Sequence, residues 1–348
     1  MLDYFVSAVD ESDSRTLKKV EELLVNEGIR KDRNIEHICA VFDSNSNVVA
    51  TGSAFGNTLR CFAVSSKHRG ENLLSLVMGH LLEWEFVRGN DHVFLYTKPD
   101  SAKFFRDLGF YEITQVGQSL VFMENKRNGF SSYLERLSRL RFSQGVSGCV
   151  VMNANPFTKG HRYLLEHACS ACDHLHLFVV SEDSSLVPYE VRLKLIEEGT
   201  ADLGNIEIHE SGSYIISNAT FPSYFMKDDE DAMKAHAELD VQLFKSIAKA
   251  LDIKVRFVGT EPSSVVTGIY NQVLCEELSK SEIELDVVPR LEIDGIAVSA
   301  SSVRKAILEN DMDKVKRLVP ESTYNYLLSK EAVPLIEKIR KAPESIHH

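Results

Sequence analysis

Two short stretches of this chain carry basic side chains next to residues that commonly open a helix. The first contains Lys159 and His161 and follows a β-branched apolar run at 146–152, which predicts a buried strand. Pro156 delays the helix, and apolar residues recur at helical spacing only after Gly160. His161 therefore lies where a helix begins, and there unpaired backbone N–H groups and the helix dipole favour an anion. The stretch is well placed to hold a triphosphate.

The second stretch lies far downstream and has the same character. Serines at 299, 301 and 302 precede or open a predicted helix whose first turn contains Arg304. Hydroxyl and guanidinium groups at a helix start suit a phosphate ligand. One stretch alone is a weak signal, but the ordered pair is a strong one.

Strands and helices alternate after residue 146, which predicts a doubly wound, Rossmann-like parallel sheet. Ligands of such sheets bind at the carboxyl ends of the strands, so the segments 153–161, 259–262 and 289–304 should meet there. His161, Lys159 and Arg304 are the predicted catalytic residues. The other residues predicted to bind the ligand are Asn153, Asn155, Pro156, Phe157, Thr158, Gly160, Gly259, Thr260, Glu261, Ser299, Ser301 and Ser302.

The N-terminal part predicts a separate α+β domain. Its amphipathic helix at 15–26 is followed by strand patterns and by a long helical pattern at 73–86. Before that second helix a turn contains Lys67, Arg69 and Gly70, and glycine with basic residues between a strand and a helix forms an anion cradle. The predicted domain boundaries are 1–128, a linker helix within 129–145, and 146–340.

Composition limits the function further. The net charge of −12 argues against nucleic acid as a general partner. No apolar run is long enough to span a membrane, and the N-terminus lacks a secretion signal. The six cysteines lie mostly in apolar surroundings, which fits free thiols in a reducing cytoplasm. Cys169 and Cys172 form a single C-x-x-C without a second pair, so we expect no metal site.

The residues at 158–161 and 299–304 resemble the T/HxGH and ISSxxR motifs of the nucleotidyltransferase superfamily. With their surroundings at 153–161 and 288–298, they resemble the citrate lyase ligase family in particular. The turn at 67–72 and the helix at 101–110 are similar to the GNAT acetyltransferase fold, which that family joins to its nucleotidyltransferase domain. The resemblance covers nearly the whole chain.

The resemblance implies an AMP-forming acid–thiol ligase. It would join acetate to ATP, which carries Mg²⁺, and pass acetyl from acetyl-adenylate to a thiol prosthetic group on the acyl carrier protein of citrate lyase. This would release AMP and pyrophosphate and activate the lyase. His161 would contact the α/β-phosphate oxygens, while Lys159 and Arg304 would hold the β- and γ-phosphates. Acetate is already ionised at neutral pH, so this step needs no general base. Arg192 is a weaker candidate for a residue that holds the phosphates.

Three alternatives remain open at this stage. A pantetheine or nucleotide adenylyltransferase would use the same crevice with a phosphate nucleophile. A regulatory protein would bind ATP without catalysing exchange. A plain acetyltransferase would use acetyl-coenzyme A, but Asn72 stands where the GNAT loop has a small residue, and it needs more room near a phosphate.

Overall fold

The computed structural model describes residues 4–181, 185–215, 221, 224, 226, 229–260 and 265–342. Its strands are β1 (Phe5–Ala8), β2 (His37–Phe42), β3 (Val48–Phe55), β4 (Thr58–Val64), β5 (Phe94–Thr97), β6 (Tyr111–Val116), β7 (Leu120–Glu124), β8 (Ser147–Met152), β9 (His174–Val179), β10 (Ile206–Glu210), β11 (Ile253–Gly259), β12 (Glu284–Val288), β13 (Glu292–Ile293) and β14 (Ile296–Ala297). Its helices are α1 (Ser14–Asn26), α2 (Leu73–Val87), α3 (Pro99–Asp107), α4 (Gly129–Ser138), α5 (Lys159–Ala171), α6 (Tyr189–Gly199), α7 (Asp229–Leu251), α8 (Val265–Leu278), α9 (Ala300–Leu308), α10 (Met312–Leu318), α11 (Glu321–Leu328) and α12 (Val333–Lys341). Among these helices, none combines the length and the apolar character needed to cross a membrane.

The chain divides into two compact units, and the first is an α+β domain. Unit 1 comprises Met1–Tyr133 with Thr220–Leu239. Its seven-stranded sheet has the order β1-β2-β3-β4-β5-β7-β6. The β4–β5 pair is parallel, whereas the other pairs are antiparallel. Helix α2 packs its buried Leu73, Val77 and Leu81 into the core on this sheet, where a Cβ added at Gly52 would collide with Val77.

A later segment belongs to unit 1 although it lies beyond the predicted boundary at 128. The hydroxyl of Tyr224 donates to the Tyr96 carbonyl over 3.2 Å, and the Tyr224 carbonyl accepts from the Arg30 N–H over 2.7 Å. Its ring packs in the core cluster that contains Leu23 and Cys61. The predicted boundaries 1–128, 129–145 and 146–340 therefore differ from the units of the structure in this segment.

Unit 2 is built on a parallel sheet. It comprises Leu134–Ala219 with Asp240–His348. The five-stranded sheet has the order β10-β9-β8-β11-β12, and its pairs are all parallel. The strand order reverses between β8 and β11, which is the switch point where doubly wound sheets bind ligands. The predicted fold class, a doubly wound parallel-sheet domain preceded by an α+β domain, is confirmed.

Most predicted elements lie close to the observed ones, but the linker helix ends early. The linker helix was predicted within 129–145, whereas α4 ends at Ser138. Beyond it the chain follows other contacts: Arg141 pairs with Asp252 at 2.7 Å, and the ring of Phe142 stacks on His174 with centroids 3.7 Å apart.

Candidate functional site

The turn after β8 is fixed by hydrogen bonds from a buried arginine. Arg192 is fully buried, and it donates to carbonyl oxygens of Asn153 at 2.9 Å, Val180 at 2.7 Å and Val187 at 3.0 Å. The side-chain oxygen of Asn155 accepts from the Val187 N–H over 2.9 Å. Because its guanidinium is bonded to these backbone carbonyls, Arg192 fixes the path of the turn. Its role is structural, and it does not line the cleft.

Helix α5 opens on a capping box that includes the predicted catalytic histidine. Thr158 is the N-cap, and its hydroxyl accepts from the His161 N–H over 3.3 Å. In return, Nδ1 of His161 accepts from the Thr158 N–H over 3.1 Å. Because a backbone N–H can only donate, Nδ1 must be unprotonated, and a neutral His161 ring therefore carries its proton on Nε2.

The surroundings of His161 keep its ring neutral. The half-buried ring lies 5.9 Å from that of buried Phe157, at an angle of 14°. Burial and, as the smaller cause, the positive charge of Arg290 together lower the pKa of His161 to about 4. At neutral pH the ring is a hydrogen-bond donor through Nε2 and carries no charge.

Helix α9 provides the second opening. Ser299 is its N-cap and accepts from the Ser302 N–H over 3.0 Å. Arg304 is buried; it donates to the Asn155 carbonyl at 2.6 Å and to the Ser301 hydroxyl at 3.1 Å. Burial lowers the pKa of Arg304, but a guanidinium stays charged in proteins. The bond to Asn155 ties the second motif to the turn of the first.

A glycine allows the two helix openings to approach each other closely. A Cβ added at Gly160 would lie 2.7 Å from the carbonyl oxygen of Val298, next to the α9 cap. Real Cβ atoms essentially never come that close to another atom, and a backbone carbonyl cannot swing away as a side chain can. Gly160 is therefore required by its neighbour across the cleft.

The two openings border a cleft of about 770 Å³ at the carboxyl ends of β8, β11 and β12. This volume is in the range of small-molecule sites. The predicted residues that line it are Asn153, Asn155, Thr158, Gly160, His161, Gly259, Ser299, Ser301 and Arg304. Among the described residues that line the cleft, none carries a carboxylate, so its charged lining favours an anion.

Other predicted residues lie next to the cleft without lining it. Phe157 is buried beneath His161, and Thr260 holds a neighbouring loop. The ammonium of Lys159 lies 3.4 Å from the Lys316 carbonyl, outside the lining of the cleft. Pro156 and Ser302 belong to the turn and to the α9 cap. Glu261 lies outside the described residues.

The prediction from sequence placed the segment 289–304 at the site but assigned no role to Arg290, a charged residue of the cleft wall. It follows Pro289 after β12, and its Nε donates to the Thr260 carbonyl over 2.7 Å. A basic residue immediately after the last parallel strand was the signal that could have identified it.

The turn of unit 1 that was predicted to cradle an anion holds the chain's own carboxylates. Glu27 accepts from the Ser66 N–H at 2.8 Å and from Arg69 at 3.1 Å. Glu71 lies 3.1 Å from His68. Lys67 is exposed, and Gly70 has a φ of +86°. The turn thus has donors for an anion, but two of them, the Ser66 N–H and Arg69, are already bonded to Glu27.

Known proteins are similar to this chain in sequence, and solved structures match part of it. Residues 147–327 match the family described as citrate lyase ligase C-terminal domain. A citrate (pro-3S)-lyase ligase from Escherichia coli (strain K12) is 38% identical, and the match covers 92% of each chain. The protein of that name from Haemophilus influenzae is 36% identical over 91% of this chain and 96% of its own. Among solved structures, Escherichia coli ElaA is 17% identical with a TM-score of 0.31, and the match covers 36% of this chain and 100% of that one.

Proposed function

This chain belongs to the citrate lyase ligase family of acid–thiol ligases, and we propose that its unit 2 cleft binds ATP and joins acetate to AMP. The names of the relatives favour this function over adenylyl transfer to a phosphorylated acceptor. One observation carries the proposal for the site: two helix N-termini, a neutral histidine and two arginines border one cleft that has no carboxylate among its described lining residues.

In the first step a carboxylate oxygen of acetate attacks the α-phosphorus of ATP. The bond from that phosphorus to the oxygen bridging to the β-phosphate breaks, and pyrophosphate leaves with the electron pair. Negative charge therefore grows on the leaving side, where the Nε2–H of His161 and the guanidinium of Arg304 stabilise it. Backbone and hydroxyl groups at the α9 opening, including Ser301, hold the phosphates, and Lys159 joins them once it leaves the Lys316 carbonyl.

Magnesium enters with ATP. The described lining of the cleft offers no carboxylate ligand, and the described residues contain no group of three or more potential metal-binding side chains. Mg²⁺ prefers phosphate oxygens and water under these conditions. The phosphates therefore hold the ion, and the protein holds the phosphates.

In the second step the thiol of a prosthetic group on the citrate lyase acyl carrier protein attacks the acetyl carbon of acetyl-adenylate. The thioester forms, the bond from that carbon to the phosphate oxygen breaks, and AMP leaves. The thiol gives its proton to water, and the resulting thiolate is the nucleophile. Lys67, Arg69 and Gly70 of unit 1 bind the phosphates of the prosthetic group, which requires Arg69 to exchange Glu27 for phosphate.

Acetate-dependent exchange between ATP and labelled pyrophosphate tests the first step directly. His161→Ala should lower the exchange rate about 10²- to 10³-fold, because it removes one donor to the developing charge. His167→Ala is the matched control, since His167 lies on the same helix and pairs at the surface with Asp286 at 2.9 Å. Full exchange in His161→Ala, or exchange that needs a phosphorylated acceptor instead of acetate, would contradict the proposal.

A further inference from the structure

Arg290 is fixed to the neighbouring loop by two hydrogen bonds. Its backbone N–H donates to the Thr260 hydroxyl at 3.2 Å, and its Nε donates to the Thr260 carbonyl at 2.7 Å. The Thr260 N–H in turn donates to the Val288 carbonyl at 2.9 Å. These bonds join the loops after β11 and β12, so the half-buried guanidinium is held at a defined place on the cleft wall.

The two arginines of the cleft have different surroundings. Arg304 is 6% exposed, lies at the α9 opening and donates to Asn155 and Ser301, beside the backbone donors that suit phosphates. Arg290 lies in the loop after β12, nine residues before the α9 cap at Ser299. Its neighbours Val288, Pro289 and Leu291 line the same cleft with apolar groups. Apolar neighbours add nothing to the binding of a triphosphate, whereas they favour a small acid because its methyl group is buried against them.

Arg290 also acts electrostatically on the reacting centre. Its positive charge contributes to the lowered pKa of His161, so the two groups share one electrostatic environment in the cleft. An anion bound by Arg290 therefore lies in the same electrostatic environment as His161.

We propose that Arg290 binds the carboxylate of the short-chain acid substrate, while Val288, Pro289 and Leu291 contact its alkyl end. This inference rests on the proposed function and deepens it, because it names the residue that selects and orients the acid. The planar guanidinium matches a carboxylate with paired hydrogen bonds, which a lysine cannot reproduce.

Pyrophosphate exchange at varied acetate and varied ATP tests the assignment in wild type, Arg290→Lys and Arg290→Gln. We expect the KM for acetate to rise at least about tenfold in both variants, since a charge-assisted hydrogen bond is lost. The KM for ATP should stay within about twofold, because ATP binds at the other elements. Arg317→Gln is the control: Arg317 is an exposed arginine of α10 that pairs with Asp294.

Two further measurements separate substrate binding from a merely structural role. Added guanidinium should restore acetate binding to Arg290→Ala if the side chain contacts the acid. By NMR, the pKa of His161 should rise in Arg290→Gln and stay low in Arg290→Lys, because only the first variant removes the charge.

The possible outcomes are distinct. A fall in ATP affinity with an unchanged KM for acetate would overturn the inference and make Arg290 a phosphate ligand. Unchanged kinetics in well-folded Arg290→Lys and Arg290→Gln would overturn it as well. Absence of acetate-dependent exchange in the wild type would instead refute the proposed function on which the inference rests.

Discussion

Two turns of this protein have the same local pattern, and their surroundings give them different electrostatic characters. Each leads from a strand to a helix and contains glycine and basic residues: residues 153–161 include the start of α5, and residues 65–72 precede α2. In unit 2 the turn opens on a cleft whose described lining has no carboxylate. In unit 1 the turn already holds Glu27 on the Ser66 N–H and on Arg69. A helix start supplies donors for an anion, but the charges around it decide whether a foreign anion can use them.

The glycines of the two turns differ in the same way. Gly160 has no space for a Cβ, because the Val298 carbonyl lies 2.7 Å from that position. Gly70 has open space around it, and its φ of +86° is the reason for glycine there. One glycine is required by a neighbour far away in sequence and the other by its own backbone.

Among the changes that test this comparison of the two turns, the largest effect is expected from Gly160→Ala. The new methyl group would push the α5 opening away from Val298, and a displacement of about 1 Å near the reacting groups can lower a rate about 10²-fold. Acetate-dependent pyrophosphate exchange measures this loss, with circular dichroism to check folding. Gly204→Ala, in unit 2 with nothing within 4 Å of its added Cβ, should exchange at nearly the wild-type rate. Equal activity in both variants would show that close contact between the two openings is unnecessary.

Much of unit 2 could be predicted because its signals are local. The β-branched run before Asn153 and the capping serine at 299 follow from strand and helix chemistry that nearest neighbours largely decide. The contacts of Glu27 with Ser66 and Arg69 could not be predicted, because they join residues about 40 positions apart. Tyr224 joins unit 1 through long-range packing that leaves no periodic signal in its own segment.

A smaller effect is expected from the turn of unit 1. Replacing both Lys67 and Arg69 by alanine should lower acetylation of the carrier thiol about tenfold, because the phosphates of the prosthetic group lose two cations. Pyrophosphate exchange should be unchanged, since it needs only unit 2. Lys103→Ala with Arg106→Ala removes the same charge from two exposed positions of α3 and serves as the control. Loss of both reactions together would contradict the separate roles of the two units.

Glu27→Gln changes the same turn in the opposite direction. The amide keeps the shape of the side chain but removes the charge that competes with phosphate at Arg69. Carrier acetylation should therefore become a few-fold more efficient at low carrier concentration, a modest gain because Arg69 is 71% exposed and solvent screens the pair. A few-fold decrease would mean that Glu27 organises the turn for its ligand instead of competing with that ligand.

The smallest effects concern the caps of the two helices. Ser299→Ala removes the acceptor for the Ser302 N–H and should lower the stability of the α9 start by about 1 kcal/mol, which hydrogen exchange of α9 amides measures.

Asn72 is the cap residue of α2, but its side chain makes no capping bond there and its φ is +58°. Asn72→Gly should therefore change the stability of unit 1 by less than about 0.5 kcal/mol. Urea titration followed by the fluorescence of Trp84, the single tryptophan of the chain and part of α2, measures this directly. The side-chain oxygen of Asn72 accepts from the Ser75 hydroxyl at 2.6 Å. If Asn72→Gly lowered stability more than Ser299→Ala does, this contact would stabilise the turn of unit 1 more than the Ser299 cap stabilises the start of α9.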